Sequence, residues 1–433
     1  MIAPARLAAY EILLNVAKGR ADLPFALARA RERLRDERDR ALAGEIAIGT
    51  LRWQGAFDHL ATVFGRRPPS RLDPEVLTIL RLSAFQLLHL TRVPAAAVVD
   101  EAVELTRKAG KRSAAGFVNA MLRRISRERG KLPLPPVPSD PSDREAVLAY
   151  LSITLSHPRW LVSRWLDRYG YDAAVAWAVF NNEPAPLTIR ANTLRESREA
   201  LAAALRKERV ETSAGRAAPA ALIVKSGNPL STSLANTGAF VVQDEASQLV
   251  GEFAGARPGE LVLDACASPG GKTTQMAAAM NDEGLIVAAD VRARRIDLLI
   301  RTVKESGASC IRIVRADARA PLPFRRLFDA VLVDAPCSGL GTIRRDPDIR
   351  WRRTEDDLPA LAAAQLEMLT NVASNVGGRV IYSTCSSEPE ENEDLVRRFL
   401  KMQTTFRLER ELHTLPHRDQ LEAFYAALLV KRP

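Results

Sequence analysis

Cysteine is scarce in this 433-residue chain: there are only Cys266, Cys310, Cys337 and Cys385, and no two form a C-x-x-C pair. That argues against zinc and against a disulfide scaffold, and it fits a reducing cytoplasm. No apolar run reaches the ~18 residues that a membrane span needs. The opening stretch, MIAPARLAAYEILLNV, reads as an amphipathic helix and not as a signal peptide. Internal repeats and low-complexity tails are missing, and residues 1 to about 130 carry no strand signal. Positive charge, by contrast, is abundant. The formal charge of +10 fits either a solvated arginine-rich surface or a polyanionic partner, so the positions of the arginines must decide.

The length allows two or three domains with cores large enough to need no staples. Residues 1–131 read as an all-α bundle. DPEVLTILRLSAFQLLHL places Asp73 as N-cap and Pro74 at the first helical position. SAAGFVNAMLRRISRERGK puts Phe117, Val118, Met121, Leu122 and Ile125 on one face, with Arg123, Arg124 and Arg127 largely off it. Residues 132–143, LPLPPVPSDPSD, are too proline-rich for a helix and read as a stiff linker at a domain boundary. Residues 144–240 mix helices with strands at PLTIRAN, ALIVKS and AFVVQD, as in a small α/β connecting module. From 241 to 433, strands at LVLDAC, LIVAAD, IRIVRAD, DAVLVDAP and RVIYSTC alternate with helices. This pattern predicts a parallel sheet covered on both faces, with ligands beyond the carboxyl ends of its strands.

LDACASPGGKTT is the turn after the first of those strands. A P-loop would need glycine where Cys266 stands, and no G-x-G-x-x-G fingerprint is present. The remaining reading is a nucleoside-type cofactor with a carboxylate tail. Gly270 and Gly271 permit close backbone approach, and a helix N-terminus favours an anion. Asp290 is spaced to accept from ribose hydroxyls, and Asp317 could accept from an adenine amino group. An adenosyl cofactor without phosphates, S-adenosylmethionine, fits this set. A single such aspartate would more simply cap a turn. Asp264, Asp290, Asp317 and Asp334 at successive strand ends favour the cofactor.

Cys310 reads as a small buried hydrophobe and Cys266 as a lining of the cofactor loop. Cys337 in DAPCSG and Cys385 in YSTCSS both follow strand ends. If those strands are neighbours, the two sulfurs face one cleft. Cys385 precedes SEPEENEDLVRRFL, a predicted helix whose N-terminus would favour thiolate. A methyl donor beside a thiolate suits carbon 5 of a pyrimidine, which becomes nucleophilic only after a thiolate adds to carbon 6. Asp334 could hold a proton near ring nitrogen 3, or it could bind the methionine end of the cofactor. In TIRRDPDIRWRR, Arg344, Arg345, Arg350, Arg352 and Arg353 with Trp351 would surround the cleft mouth, as suits a phosphate backbone and an extruded base.

DACASPGGKTT, DAPCSGLGTIRRDPDIRW and YSTCSSEPEENE closely resemble motifs of the RNA cytosine-C5 methyltransferases, in particular the bacterial 16S ribosomal RNA enzymes of the RsmB type. AFQLLHLTRVPAAAVVDEAVELTRK and GFVNAMLRRI resemble the NusB-like, RNA-binding helical domain of that type. SHPRWLVSRW, NNEPAPLTIRANTL and FVVQDEASQLV resemble its connecting region. The resemblance implies a Rossmann-like methyltransferase domain at the C-terminus. It implies Cys385 as nucleophile and Cys337 as the group that assists release of the product. It implies S-adenosylmethionine binding by Cys266, Ala267, Ser268, Pro269, Gly270, Gly271, Lys272, Asp290, Asp317 and Asp334. The expected partner is 16S ribosomal RNA before full subunit assembly, met by a monomeric cytoplasmic enzyme with no metal. Two positions depart from the pattern. Ser268 stands where alanine is common, and DQLEAFYAALL lacks the glycine of an expected D-G-F-F step. The same chemistry on tRNA or DNA stays open, as does an antitermination factor with a disused methyltransferase domain. The presence of both Cys337 and Cys385 weighs against the latter.

Overall fold

A computed structural model describes residues 2–432 and sorts the chain into two compact units. The first comprises Met1–Pro184 and Ile343–Arg352. Seven helices, from Pro4–Ala17 to Ala115–Arg127, surround one apolar core in which Ile46, Leu60, Ile79, Val118 and Leu122 are fully buried. Pro74 starts its helix as expected. The side chain of Asp73 makes no capping bond, however, and instead pairs with Lys111 at 3.2 Å. Arg124 lies over the Phe64 ring at 4.3 Å, so one of the three arginines expected off the apolar face serves packing.

The proline-rich stretch does not divide the chain here. Leu132 and Leu134 pack on the helical core, the carbonyl of Pro133 meets His59 at 2.9 Å, and that of Pro135 accepts from Thr154 at 2.6 Å. Residues 144–184, expected in the connecting module, therefore continue the first unit, through helices Arg159–Tyr169 and Tyr171–Asn182.

The segment Ile343–Arg352 corrects the reading of its arginines. Arg350 is fully buried. It donates to the carbonyl of Ser156 at 2.9 Å, to Asn182 Oδ1 at 3.1 Å and to the carbonyl of Asn181 at 3.3 Å. Trp351 donates its indole N–H to the Leu51 carbonyl at 2.7 Å, and Arg344 stacks on Phe180. These three side chains pack inside the first unit and do not ring a cleft mouth. Burial pushes the Arg350 guanidinium well below its usual pKa, a cost partly offset by the oxygens that its two terminal nitrogens reach, while its Nε stays unpaired. Arg350→Ala should strand those carbonyls at about 1–3 kcal/mol each. Thermal unfolding should therefore show a clearly lowered midpoint; an unchanged one would mean that water replaces the guanidinium.

The second unit comprises Ala185–Thr342 and Arg353–Pro433. It begins with an antiparallel sheet of β1 (Thr188–Ala191), β2 (Glu211–Ala214), β3 (Ala221–Ser226) and β4 (Phe240–Val242), in the order β2-β3-β1-β4. Strand β2, ETSA, carries too little apolar pattern to be expected from sequence. A seven-stranded sheet follows. Its strands are β5 (Leu261–Asp264), β6 (Leu285–Asp290), β7 (Ile311–Arg315), β8 (Phe328–Asp334), β9 (Val376–Thr384), β10 (Phe406–Thr414) and β11 (Phe424–Lys431), in the order β10-β11-β9-β8-β5-β6-β7. Strands β5 to β9 pair in parallel, as their near-continuous apolar runs predict. Strand β11 pairs antiparallel with both β9 and β10, so the atypical EAFY step still forms its strand. The chain order reverses between β5 and β8, the switch point at which such sheets bind ligands. Among the described residues, no helix is long and apolar enough to cross a membrane.

Candidate active site

The turn after β5 leads into helix Gly271–Ala279 and lines a cavity of about 450 Å³. Cys266, Ala267, Ser268, Pro269, Gly271, Lys272, Asp264 and Asp334 all contribute to its wall. Gly270 has φ of +106°, and a Cβ there would stand 3.0 Å from Leu299 and 3.1 Å from Thr302. The left-handed conformation therefore favours glycine, and a Cβ would also crowd these two side chains. Asp290, at the end of β6, is buried and accepts from the amides of Ser268 at 3.2 Å and Arg292 at 3.3 Å. A carboxylate has about four acceptor sites, so capacity remains for a ligand's hydroxyls. Asp317 is exposed, accepts from the Arg319 amide at 2.9 Å and does not line this cavity. Cys266 lies against the same aspartates; burial first, then Asp264, raises its thiol pKa, which leaves it inert as a nucleophile.

Two carboxylates meet at the switch point. Asp334, at the end of β8, accepts from Lys272 Nζ at 2.6 Å and from Ser383 Oγ at 2.8 Å. Burial lowers the Lys272 pKa, but Asp334 more than offsets this and the net shift is upward. Asp264 is also buried and accepts from Thr273 at 2.7 Å, while its Oδ1 has no partner. Burial pushes its pKa up to about 7. The aspartate repeat at strand ends made Asp264 visible in the sequence. Its orphan oxygen was not visible there, nor was the ion pair between Lys272 and Asp334, residues 62 positions apart.

Strands β8 and β9 are neighbours, with Asp334 opposite Ser383. That register brings Cys337 and Cys385 together, with their sulfurs 3.2 Å apart and unbonded. The Cys337 pKa is raised well above its usual value, first by the hydrogen bond to Cys385 and then by burial. Either sulfur can donate to the other across this contact. The helix expected directly after Cys385 starts only at Glu393, beyond a 3₁₀ turn at Pro389–Glu391. Proline and the run of polar side chains delay it, so no helix terminus acts on Cys385. Gly341 closes the site from below: its amide donates to the Cys385 carbonyl at 2.9 Å, and its carbonyl accepts from Ala423 at 3.0 Å. Sequence reading also passed over Glu391 and Gln365, while Arg353, expected at the cleft mouth, donates to the Ser338 carbonyl at 3.0 Å. The acidic string EPEENE was the one available signal for Glu391, and it looks like a solvated surface. Among the described residues, no cluster could hold a metal.

Residues 254–430 match the 16S rRNA methyltransferase RsmB/F family, residues 3–127 the NusB family, and residues 157–231 the ferredoxin-like domain of RsmF/B-like methyltransferases. The chain is 34% identical to ribosomal RNA small subunit methyltransferase B of Pseudomonas putida, covering 98% of each chain. It is 30% identical to the protein of that name from Vibrio vulnificus, covering 99% of each. Among solved structures it resembles PH0851, with a TM-score of 0.82 and 27% identity over 100% of this chain and 99% of that one. It also resembles a methyltransferase homologue from Pyrococcus horikoshii, with a TM-score of 0.59 and 25% identity over 66% of this chain and 98% of that one.

Proposed function

Because the chain belongs to the ribosomal RNA small subunit methyltransferase B family, we propose that it methylates carbon 5 of a cytosine in 16S ribosomal RNA, using S-adenosylmethionine. The observation that carries this reading is the pair of sulfurs 3.2 Å apart at adjacent strand ends, with Cys385 near Lys272 of the cavity wall. Methylation of an amine needs no sulfur nucleophile; methylation of carbon 5 does.

S-adenosylmethionine supplies an electrophilic methyl group. Asp290 would hold its ribose hydroxyls, and Asp264 with its unpartnered oxygen would hold the cationic amine of its methionine end. The loop from Cys266 to Lys272 would approach it closely through Gly271. Asp317 would meet the adenine only if its turn opened toward the cavity. On the base, the Cys385 thiolate adds to carbon 6, and the electron pair of the 5,6 double bond moves to carbon 5. Carbon 5 then bonds to the methyl group as the methyl's bond to the donor's sulfonium sulfur breaks, its electron pair returning to that sulfur as a neutral thioether. A base then takes the carbon 5 proton, with Cys337 beside Cys385 placed to assist, and the C–H electron pair re-forms the double bond as the Cys385 thiolate is expelled. Asp334, fixed by Lys272 and Ser383, stands on the neighbouring strand end and can steady a proton at ring nitrogen 3.

Bisulfite sequencing of 16S ribosomal RNA from cells lacking the gene tests the reaction: one protected cytosine should become convertible. No change at any cytosine would remove the proposal. For the cofactor, Asp290→Ala should weaken S-adenosylmethionine binding by about 1–3 kcal/mol, the loss typical of charged hydrogen bonds. Calorimetry that finds the affinity unchanged would place the ribose elsewhere.

A further inference from the structure

Glu391 is fully buried, yet no step above uses it. One carboxylate oxygen accepts from the Ser338 amide and from Gln365 Nε2, both at 2.8 Å. The other accepts from the hydroxyls of Ser338 and Ser386. Ser338 follows Cys337 and Ser386 follows Cys385, so a single carboxylate ties together the residues next to both sulfurs. The two hydroxyls are themselves only 3.1 Å apart. One carboxylate oxygen thus meets two N–H donors, and the other meets two hydroxyls that can each donate to it. The group is itself held. The Glu391 carbonyl accepts from Tyr382 at 2.6 Å, while Gln365 also donates to the Pro336 carbonyl at 3.0 Å, just before Cys337. Arg353 donates to the Ser338 carbonyl at 3.0 Å from the other side.

We propose that Glu391 is a positioning residue that clamps the two cysteine loops, keeping the sulfurs in contact but unequal, with Cys385 as the nucleophile and Cys337 as the thiol. The clamp rests on the covalent-adduct reading given above and deepens it. Two equivalent thiols in contact would compete for carbon 6, and addition by Cys337 would leave the base in the wrong place. A fixed negative charge beside the Cys337 loop opposes ionisation of that sulfur, in the same direction as its burial and its bond to Cys385. Glu391 reaches neither sulfur through a hydrogen bond of its own and acts through Ser338 and Ser386.

The test compares Glu391→Gln with the parent protein. Iodoacetamide alkylation of each cysteine is followed from pH 6 to 10 by peptide mass spectrometry, without RNA or cofactor, alongside kcat and KM for methylation. The Gln variant removes the negative charge and replaces charge-assisted bonds with weaker neutral ones, so the clamp should loosen. The preference for alkylating Cys385 over Cys337 should shrink at least tenfold. The kcat should fall about ten- to a hundredfold, with KM for RNA within threefold. A folded Glu391→Gln variant with cysteine preference and kcat within twofold of the parent would overturn the clamp. If that variant does not fold, the Ser338→Ala, Ser386→Ala double variant keeps the buried carboxylate and removes two of its donors. It should show the same loss of preference, and an unchanged preference would equally overturn the proposal. Failure of the carbon 5 reading is distinct: the parent itself would then methylate no cytosine carbon, whatever the alkylation ratio.

Discussion

Replacing Cys337 with alanine should trap the protein on its RNA. Cys385 can still add to carbon 6 and carbon 5 can still take the methyl group, but departure of the carbon 5 proton loses the group that lies 3.2 Å from the nucleophilic sulfur. A denaturing gel with labelled ribosomal RNA and cofactor should show a slow, denaturant-resistant band for Cys337→Ala. Cys385→Ala should give no band and no methylation, because carbon 5 without a thiolate at carbon 6 is inert. Cys337 touches the Cys385 sulfur, and its own pKa is raised by that neighbour and by burial. A band from Cys385→Ala alone would exchange the roles. Full turnover by Cys337→Ala would reduce Cys337 to packing and require another group for product release.

Asp264→Asn should stabilise the folded protein at alkaline pH while weakening cofactor binding. The folded pKa of Asp264 is about 7, above the unfolded value of about 3.9. The folded state thus binds this proton more tightly. The stability it contributes is fully present below about pH 4 and is lost as pH rises through 7. Roughly three pKa units correspond to about 4 kcal/mol as an upper bound. Urea unfolding at pH 5 and pH 8 should therefore show a stability loss in the parent that is largely missing from Asp264→Asn. S-adenosylmethionine should reverse the sign for the parent. A cationic amine at the orphan Oδ1 favours the ionised carboxylate, so affinity should rise with pH across 7, whereas Asp264→Asn should bind weakly and with a flat profile. Parallel profiles for the two proteins would take Asp264 out of the cofactor site.

The catalytic sheet was legible because its strands are buried on both faces and read as apolar runs ending in Asp264, Asp290, Asp334 and Cys385. The conditional statement that Cys337 and Cys385 meet became definite through one strand register, that of β8 on β9. Sequence periodicity cannot supply such a register, because pairing is non-local. Strands β2 and β10 escaped notice since exposed, charged positions blur their alternation. Arg350 was misread for a related reason: an arginine in a basic loop looks solvated, and only the carbonyls of Ser156 and Asn181, far away in the chain, make its burial affordable. The proline-rich stretch misled as well, since stiffness says nothing about whether leucines at 132 and 134 find a core. Glu391 hid within an acidic string whose members look alike until one is enclosed by serines.

Vectorial synthesis gives Ile343–Arg352 a further consequence. The helical unit begins at the N-terminus, but its membership closes only with Arg352. Until the ribosome has made that segment, the carbonyls of Leu51, Ser156 and Asn181 lack the donors they have in the finished unit. At roughly 5–20 residues per second, the bundle must wait many seconds, partly complete, while more than 150 residues of the second unit emerge. The two units therefore mature together, although one of them is encoded almost wholly first. A gene fragment cut after Pro184 would encode a bundle with an open seam, and joining that fragment to another enzyme would not transplant a finished module.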